Sequence, residues 1–148
     1  MKVANLAVAV MALAVTAGAC AQATPSPIAT SGSTAPAVPT SGRTEDVVDA
    51  FVRAANSGDA AALRKLFAPD ARFDRAGTVF TGAAIVDDFL KPDVTDAGGR
   101  YRETSRRVEG ERLTVAFTFD TGHGGQELFT YSFLVRGGRI SDVVGRYL

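Results

Sequence analysis

The chain has 148 residues, 46% of them hydrophobic and 22% charged, with 15 Gly and 6 Pro, which suits one globular domain with a tail. All 16 acidic residues and every basic residue except Lys2 lie at or beyond Arg43, where the charges nearly cancel, so neither nucleic acid nor an anionic membrane surface is favoured as a partner. Cys20 is the only cysteine and His123 the only histidine, which excludes an internal disulfide, a zinc finger and a Cys/His catalytic pair; no metal or cofactor is expected.

Lys2, an apolar run from Leu6 to Val15 and the small residues Thr16-Ala-Gly-Ala form the three parts of an export signal over residues 1–19. Ala17-Gly18-Ala19-Cys20 resembles a bacterial lipoprotein signal, departing from it at Ala17, where leucine is usual. The resemblance implies cleavage before Cys20, lipidation of that cysteine, and a place on the outer face of the cytoplasmic membrane or in the cell envelope. Ala17-x-Ala19 also fits the ordinary secretory peptidase, which would leave Cys20 a free thiol on a secreted protein. An uncleaved anchor is disfavoured because the apolar run is short for a membrane span. Residues 20–42, dominated by Ala, Thr, Ser, Pro and Gly, bury too little apolar surface to fold and read as a tether.

The domain spans 43–148. Thr44 is the expected N-cap of a first helix, with Glu45 and Asp46 at its positive end and Val47, Val48, Phe51, Val52 and Ala55 on one face. Gly58 stops it, Asp59 caps a second helix carrying Leu63, Leu66 and Phe67, and Pro69 ends that one. Asp70 to Phe73 reads as a brief strand, with Thr78 to Phe80 returning beside it. Thr81-Gly82 opens a third helix carrying Ile85, Val86, Phe89 and Leu90, which Pro92 is expected to stop. From Arg100 the period becomes two: a polar strand from Tyr101 to Val108, then Leu113 to Asp120, Glu127 to Val135 and Ile140 to Leu148, the last two joined by the turn Arg136-Gly-Gly-Arg139. The expectation is an α+β domain with three N-terminal helices on one face of an antiparallel sheet of about four main strands.

The order helix, Ser57-Gly58-Asp59, helix, Phe67-Ala-Pro-Asp-Ala-Arg-Phe73, Thr81-Gly82, helix, then long strands closing in Gly137-Gly138-Arg139-Ile140, resembles the nuclear-transport-factor-2-like (NTF2-like) superfamily in its SnoaL-like bacterial branch. The resemblance covers 44–148 and implies a curved sheet wrapped round three helices, a cone with an interior pocket, often assembled as a homodimer. The superfamily includes isomerases, polyketide cyclases, dehydratases and epoxide hydrolases, and also domains that only bind or assemble, so activity rests on the site residues.

A steroid-isomerase mechanism needs a carboxylate base and two protonated donors. Carried over by the resemblance, the donor tyrosine falls at Phe51, the base at Arg75 and the protonated acid at Tyr131, or at Thr130 if the turn shifts by one. Two of the three roles are lost. Asp74 reads as an outward surface acid and Arg75 as inward, either a solvated turn residue or a holder of an anionic or carbonyl group. Asp142 offers a hydrolase base, although alternation points it away from the interior, where Val143, Gly145 and Tyr147 stand. His123 lies among glycines in a loop. Phe51, Phe73, Arg75, Tyr131, Val143 and Tyr147 are the candidate pocket residues, with plain core packing as the alternative for the aromatic ones. The leading expectation is an exported, lipid-anchored domain that binds a small apolar ligand or a partner, without a preserved catalytic set. Its rival is a cyclase, isomerase or hydrolase using Arg75, Tyr131 and Asp142 on a small hydrophobic substrate.

Overall fold

The computed structural model describes residues 43–148; the stretches read above as an export signal and a tether, with Cys20, lie outside the described residues. Three helices, α1 (Thr44–Ser57), α2 (Ala60–Leu66) and α3 (Ile85–Asp96), pack on one sheet of six strands. The strands are β1 (Phe67–Arg75), β2 (Thr78–Thr81), β3 (Arg100–Glu109), β4 (Arg112–Asp120), β5 (Gln126–Arg136) and β6 (Arg139–Tyr147). Their order across the sheet is β2-β1-β6-β5-β4-β3. This is the curved-sheet α+β architecture that the resemblance implies.

The sheet is mixed rather than antiparallel. β1 runs parallel to β6, with Phe73 opposite Val143 and Arg75 opposite Gly145, while every other neighbouring pair is antiparallel. Parallel neighbours need a long crossover, supplied here by α3 and β2 to β5. Register shifts at Phe67/Arg72, Glu103/Ser105 and Leu134/Val135 insert bulges, which bend strands and curl the sheet around the helices.

Local chemistry sets the helix ends. Gly58 takes a left-handed φ of 73°, and its N–H closes on the carbonyls of Ala54 and Ala55. The Asp59 carboxylate accepts the Ala62 N–H at 2.8 Å and caps α2. At the start of α1, however, Arg43 occupies the N-cap position and makes no side-chain capping bond, so Thr44 is the first helical residue and not the cap. Pro69 does not end α2. That helix closes at Leu66, and Pro69 sits inside β1 within the shifted stretch between Phe67 and Arg72, where no ladder bond needs its missing N–H.

Pro92 does not stop α3. The helix is wound as a π-helix from Ile85 through Pro92 to Asp96. Thr81 belongs to β2, and a turn over Gly82 to Ala84, whose Gly82 and Ala83 carbonyls accept the Ile85, Val86 and Asp87 N–H groups, leads into the helix. Its buried residues, Ile85, Val86, Phe89, Leu90 and Val94, recur every four or five positions, in step with the wider turn, which also relieves the clash a proline ring makes in a tighter helix.

The core lies between the helices and the concave face of the sheet. Phe51, Phe73, Phe89, Phe117 and Phe133 are its largest fully buried side chains, each worth about 1.5–3 kcal/mol of burial. On the convex face, Asp142 bonds Arg112 at 2.5 Å and sits 3.6 Å from Arg72. Asp74 bonds the Gly77 N–H at 2.7 Å and lies 3.5 and 3.4 Å from Arg72 and Arg146. Asp74 faces outward as alternation predicts, yet these neighbours leave it only 8% exposed, so it is a buried member of a charged ladder and not a solvated acid.

Candidate functional site

At the open end of the cone the concave face forms a cleft walled by Phe89, Tyr101, Phe119, Phe129, Tyr131 and Tyr147, with Arg75, Asp93 and Glu127 among its polar members. Its free volume is about 30 Å³, far below the roughly 300–1,000 Å³ of a site that swallows a drug-sized ligand. In this conformation the cleft admits a compact group at its base and leaves the rest of a ligand against the aromatic rim.

Two tyrosines make its floor. The hydroxyls of Tyr101 and Tyr131 lie 3.5 Å apart, both side chains buried among Phe117, Phe129 and each other's rings. Burial pushes both phenols upward, Tyr131 well above its usual 10.0, so each stays neutral and keeps its proton in any ordinary buffer. Gly145 makes room for this arrangement, since a Cβ there would come within 3.0 Å of the Tyr131 ring and 3.1 Å of the Asp74 carbonyl. Tyr101 is held from behind by Asn56 at the end of α1, whose amide accepts the Tyr101 N–H at 2.7 Å and donates to its carbonyl at 2.9 Å.

Arg75 closes one side. Its guanidinium stacks 4.8 Å from the centre of the Phe89 ring, and Nη1 bonds Asp93 at 2.6 Å, tying β1 to α3 across the mouth. The next residue, Ala76, has φ 48°, followed by Gly77 at 102°. Positive φ at both central positions is what a two-residue type I′ hairpin requires, and alanine is a strained choice for the first.

Of the residues singled out in the sequence, Arg75, Tyr131 and Tyr147 meet at the cleft. Phe51, Phe73 and Val143 do not line it; each has no exposed surface and packs in the core, Phe51 against Phe67 and Phe133, Phe73 against Phe89 and Tyr131. Asp142 is on the opposite face of the sheet, bound by arginines, and cannot serve a substrate in the cleft. His123 is exposed in the loop between β4 and β5. Sequence reasoning passed over Tyr101, Asp93, Glu127 and Asn56. The signal for Glu127 was present, because it opens the run 127, 129, 131, 133 on one face of β5, and Tyr101 stands opposite Phe119 in the ladder. Among the described residues no group of three His, Cys, Asp or Glu side chains gathers closely enough to hold a metal ion.

A family model for the SnoaL-like domain matches residues 48–143. The chain belongs to the SnoaL-like domain family. Solved structures agree on the fold. A candidate polyketide cyclase from Sinorhizobium meliloti is 24% identical with a TM-score of 0.62, covering 68% of this chain and 94% of its own. An NTF2-like protein of unknown function from Cytophaga hutchinsonii is 15% identical with a TM-score of 0.63, covering 74% and 94%. The epoxide hydrolase/cyclase-like enzyme SalBIII, of pyran ring formation in the polyether salinomycin, is 16% identical with a TM-score of 0.63, covering 70% and 89%. At these identities the likeness concerns the SnoaL-like fold alone. No curated protein matches the chain.

Proposed function

We propose that this SnoaL-like domain is exported, anchored by a lipid on Cys20, and holds a small, largely apolar ligand at the open end of its cone without transforming it. One observation carries the binding reading: an aromatic cleft converges on two buried, neutral phenols that can give or accept a hydrogen bond. Against catalysis stands the pairing of the nearby charges. Arg75 and Asp93 neutralise each other, and Phe51 and Arg75 occupy the places where the isomerase resemblance needs a donor and a base.

The test is a thermal-shift series over steroid, polyketide, fatty-acid and alkylamine compounds with the wild type and Tyr131→Phe. A binder raises the wild-type melting temperature and loses part of that effect in the variant; no shift with any compound overturns the binding reading. For the anchor, Cys20→Ala should release the protein from the membrane fraction, and retention there would overturn it.

A second reading rests on Asp93, Arg75 and Tyr131 lining one cleft, a carboxylate, a cation and a phenol that together suit a cyclase, isomerase or hydrolase once a substrate displaces the ion pair. Turnover of any compound in the series, abolished by Asp93→Asn, would replace the non-enzymatic reading with this one.

A further inference from the structure

We infer that the ligand of the cleft carries a cationic amine head group, and that Glu127 receives it. The inference rests on the reading of the cleft as a ligand site. Four charged side chains border the cleft. Arg75 is paired with Asp93 at 2.6 Å, and Arg146 turns to the other face of the sheet, 3.4 Å from Asp74. Glu127 is left over: among the described residues it has neither an ion pair nor a side-chain hydrogen bond. The cleft therefore carries one uncompensated negative charge.

Its placement suits an ammonium. Glu127 lies on the concave side of β5 in line with Phe129 and Tyr131, opposite Phe119 in the ladder, and it is half-buried at the rim. The rings of Phe119, Phe129, Tyr101 and Tyr147 surround that end of the cleft. Aromatic walls attract a cation through the negative faces of the rings and cover an apolar shaft at the same time. A carboxylate beside them supplies a charge-assisted acceptor. The Tyr101 and Tyr131 phenols, being neutral, accept from an ammonium without cost in charge, whereas a carboxylate ligand would meet Glu127 and Asp93 and would have to break the Arg75–Asp93 pair to find a counter-charge. The small free volume, about 30 Å³, matches a head group of one or two heavy atoms with its chain leaning outward.

Three probes that differ only in the head group test this: n-hexylammonium, 1-hexanol and hexanoate, titrated at pH 7 into the full-length, isotope-labelled protein while amide resonances of the cleft are followed. Wild type should bind hexylammonium most tightly, and Glu127→Gln should weaken that probe by about tenfold while hexanol stays within about twofold. Hexanol or hexanoate binding as tightly as hexylammonium, or unchanged hexylammonium binding in Glu127→Gln, would overturn the amine assignment and leave the cleft a ligand site. No cleft response to any of the three overturns the ligand-site reading itself, and the amine assignment falls with it.

Discussion

The Asn56 side-chain amide pairs with both backbone groups of Tyr101, 45 residues away, much as a neighbouring strand would. β3 is an edge strand, so this amide occupies a place where the ladder has no further partner. It also sets the height of Tyr101 relative to Tyr131. Asn56→Ala should destabilise the domain by about 1–3 kcal/mol, the cost of stranding two partly buried backbone groups, measured by urea unfolding with an unchanged slope. Asn56→Asp keeps one acceptor and places a carboxylate against the Tyr101 carbonyl, and should fare no better.

Gly145→Ala puts a methyl within 3.0 Å of the Tyr131 ring and 3.1 Å of backbone. The ring has to give way, because the Asp74 carbonyl is fixed in the sheet. A loss of about 1–3 kcal/mol is expected, accompanied by chemical-shift changes at Tyr101 and Tyr131. Full stability in this variant would contradict the tight seat assigned to Tyr131.

Ala76→Asn should stabilise the protein by about 0.5–1 kcal/mol, since asparagine tolerates left-handed backbone far better than alanine, and Asn-Gly is the favoured centre of a type I′ hairpin. Thermal denaturation reads the change. A lower melting temperature would mean that the turn is not strained at this residue.

Acid and alkali act on different faces of the sheet. The Gly77 N–H bond, aided by Arg146 and Arg72, holds the Asp74 carboxyl below its ordinary 3.8. A lowered folded value stabilises the protein above that pH, and the contribution is lost as pH falls from there through the folded value. Asp74→Asn should flatten the stability profile on the acid side, checked by urea unfolding between pH 5 and pH 3.

For Tyr101 and Tyr131 the sign reverses. Burial raises both phenols above 10.0, so their contribution is intact below that pH and is lost as pH rises toward their folded values. Phenolate absorbance from these two should appear together with unfolding and not before it. Ionisation of all three tyrosines in the folded protein near pH 10 would refute the buried pair.

The parts of the fold that were legible in the sequence are those written locally. Asp59 caps a helix three residues ahead of its partner, and the alternation Leu113, Val115, Phe117, Phe119 marks one face of β4. Relationships across the chain left no such trace. Neither the parallel pairing of β1 with β6 nor the reach of Asn56 to Tyr101 has a spacing to betray it. Pro92 misled because its usual effect assumes an α-helix, and the π winding changes where its ring falls. At the site, Arg75, Tyr131 and Tyr147 could be found by alternation, whereas Tyr101 lies in a strand whose other nine residues are more exposed and mostly polar.

The position of β6 has a consequence for how the chain acquires its shape. This strand is last in order among the described elements yet sits between β1 and β5, third from one edge of the sheet. Until residues 139–147 have been synthesised, the β1–β2 hairpin and the β3–β5 meander have no backbone bonds joining them. Each is left with an open edge. Completion of the fold is therefore a late, long-range event, and the two half-sheets stay separable until the strand that joins them has formed.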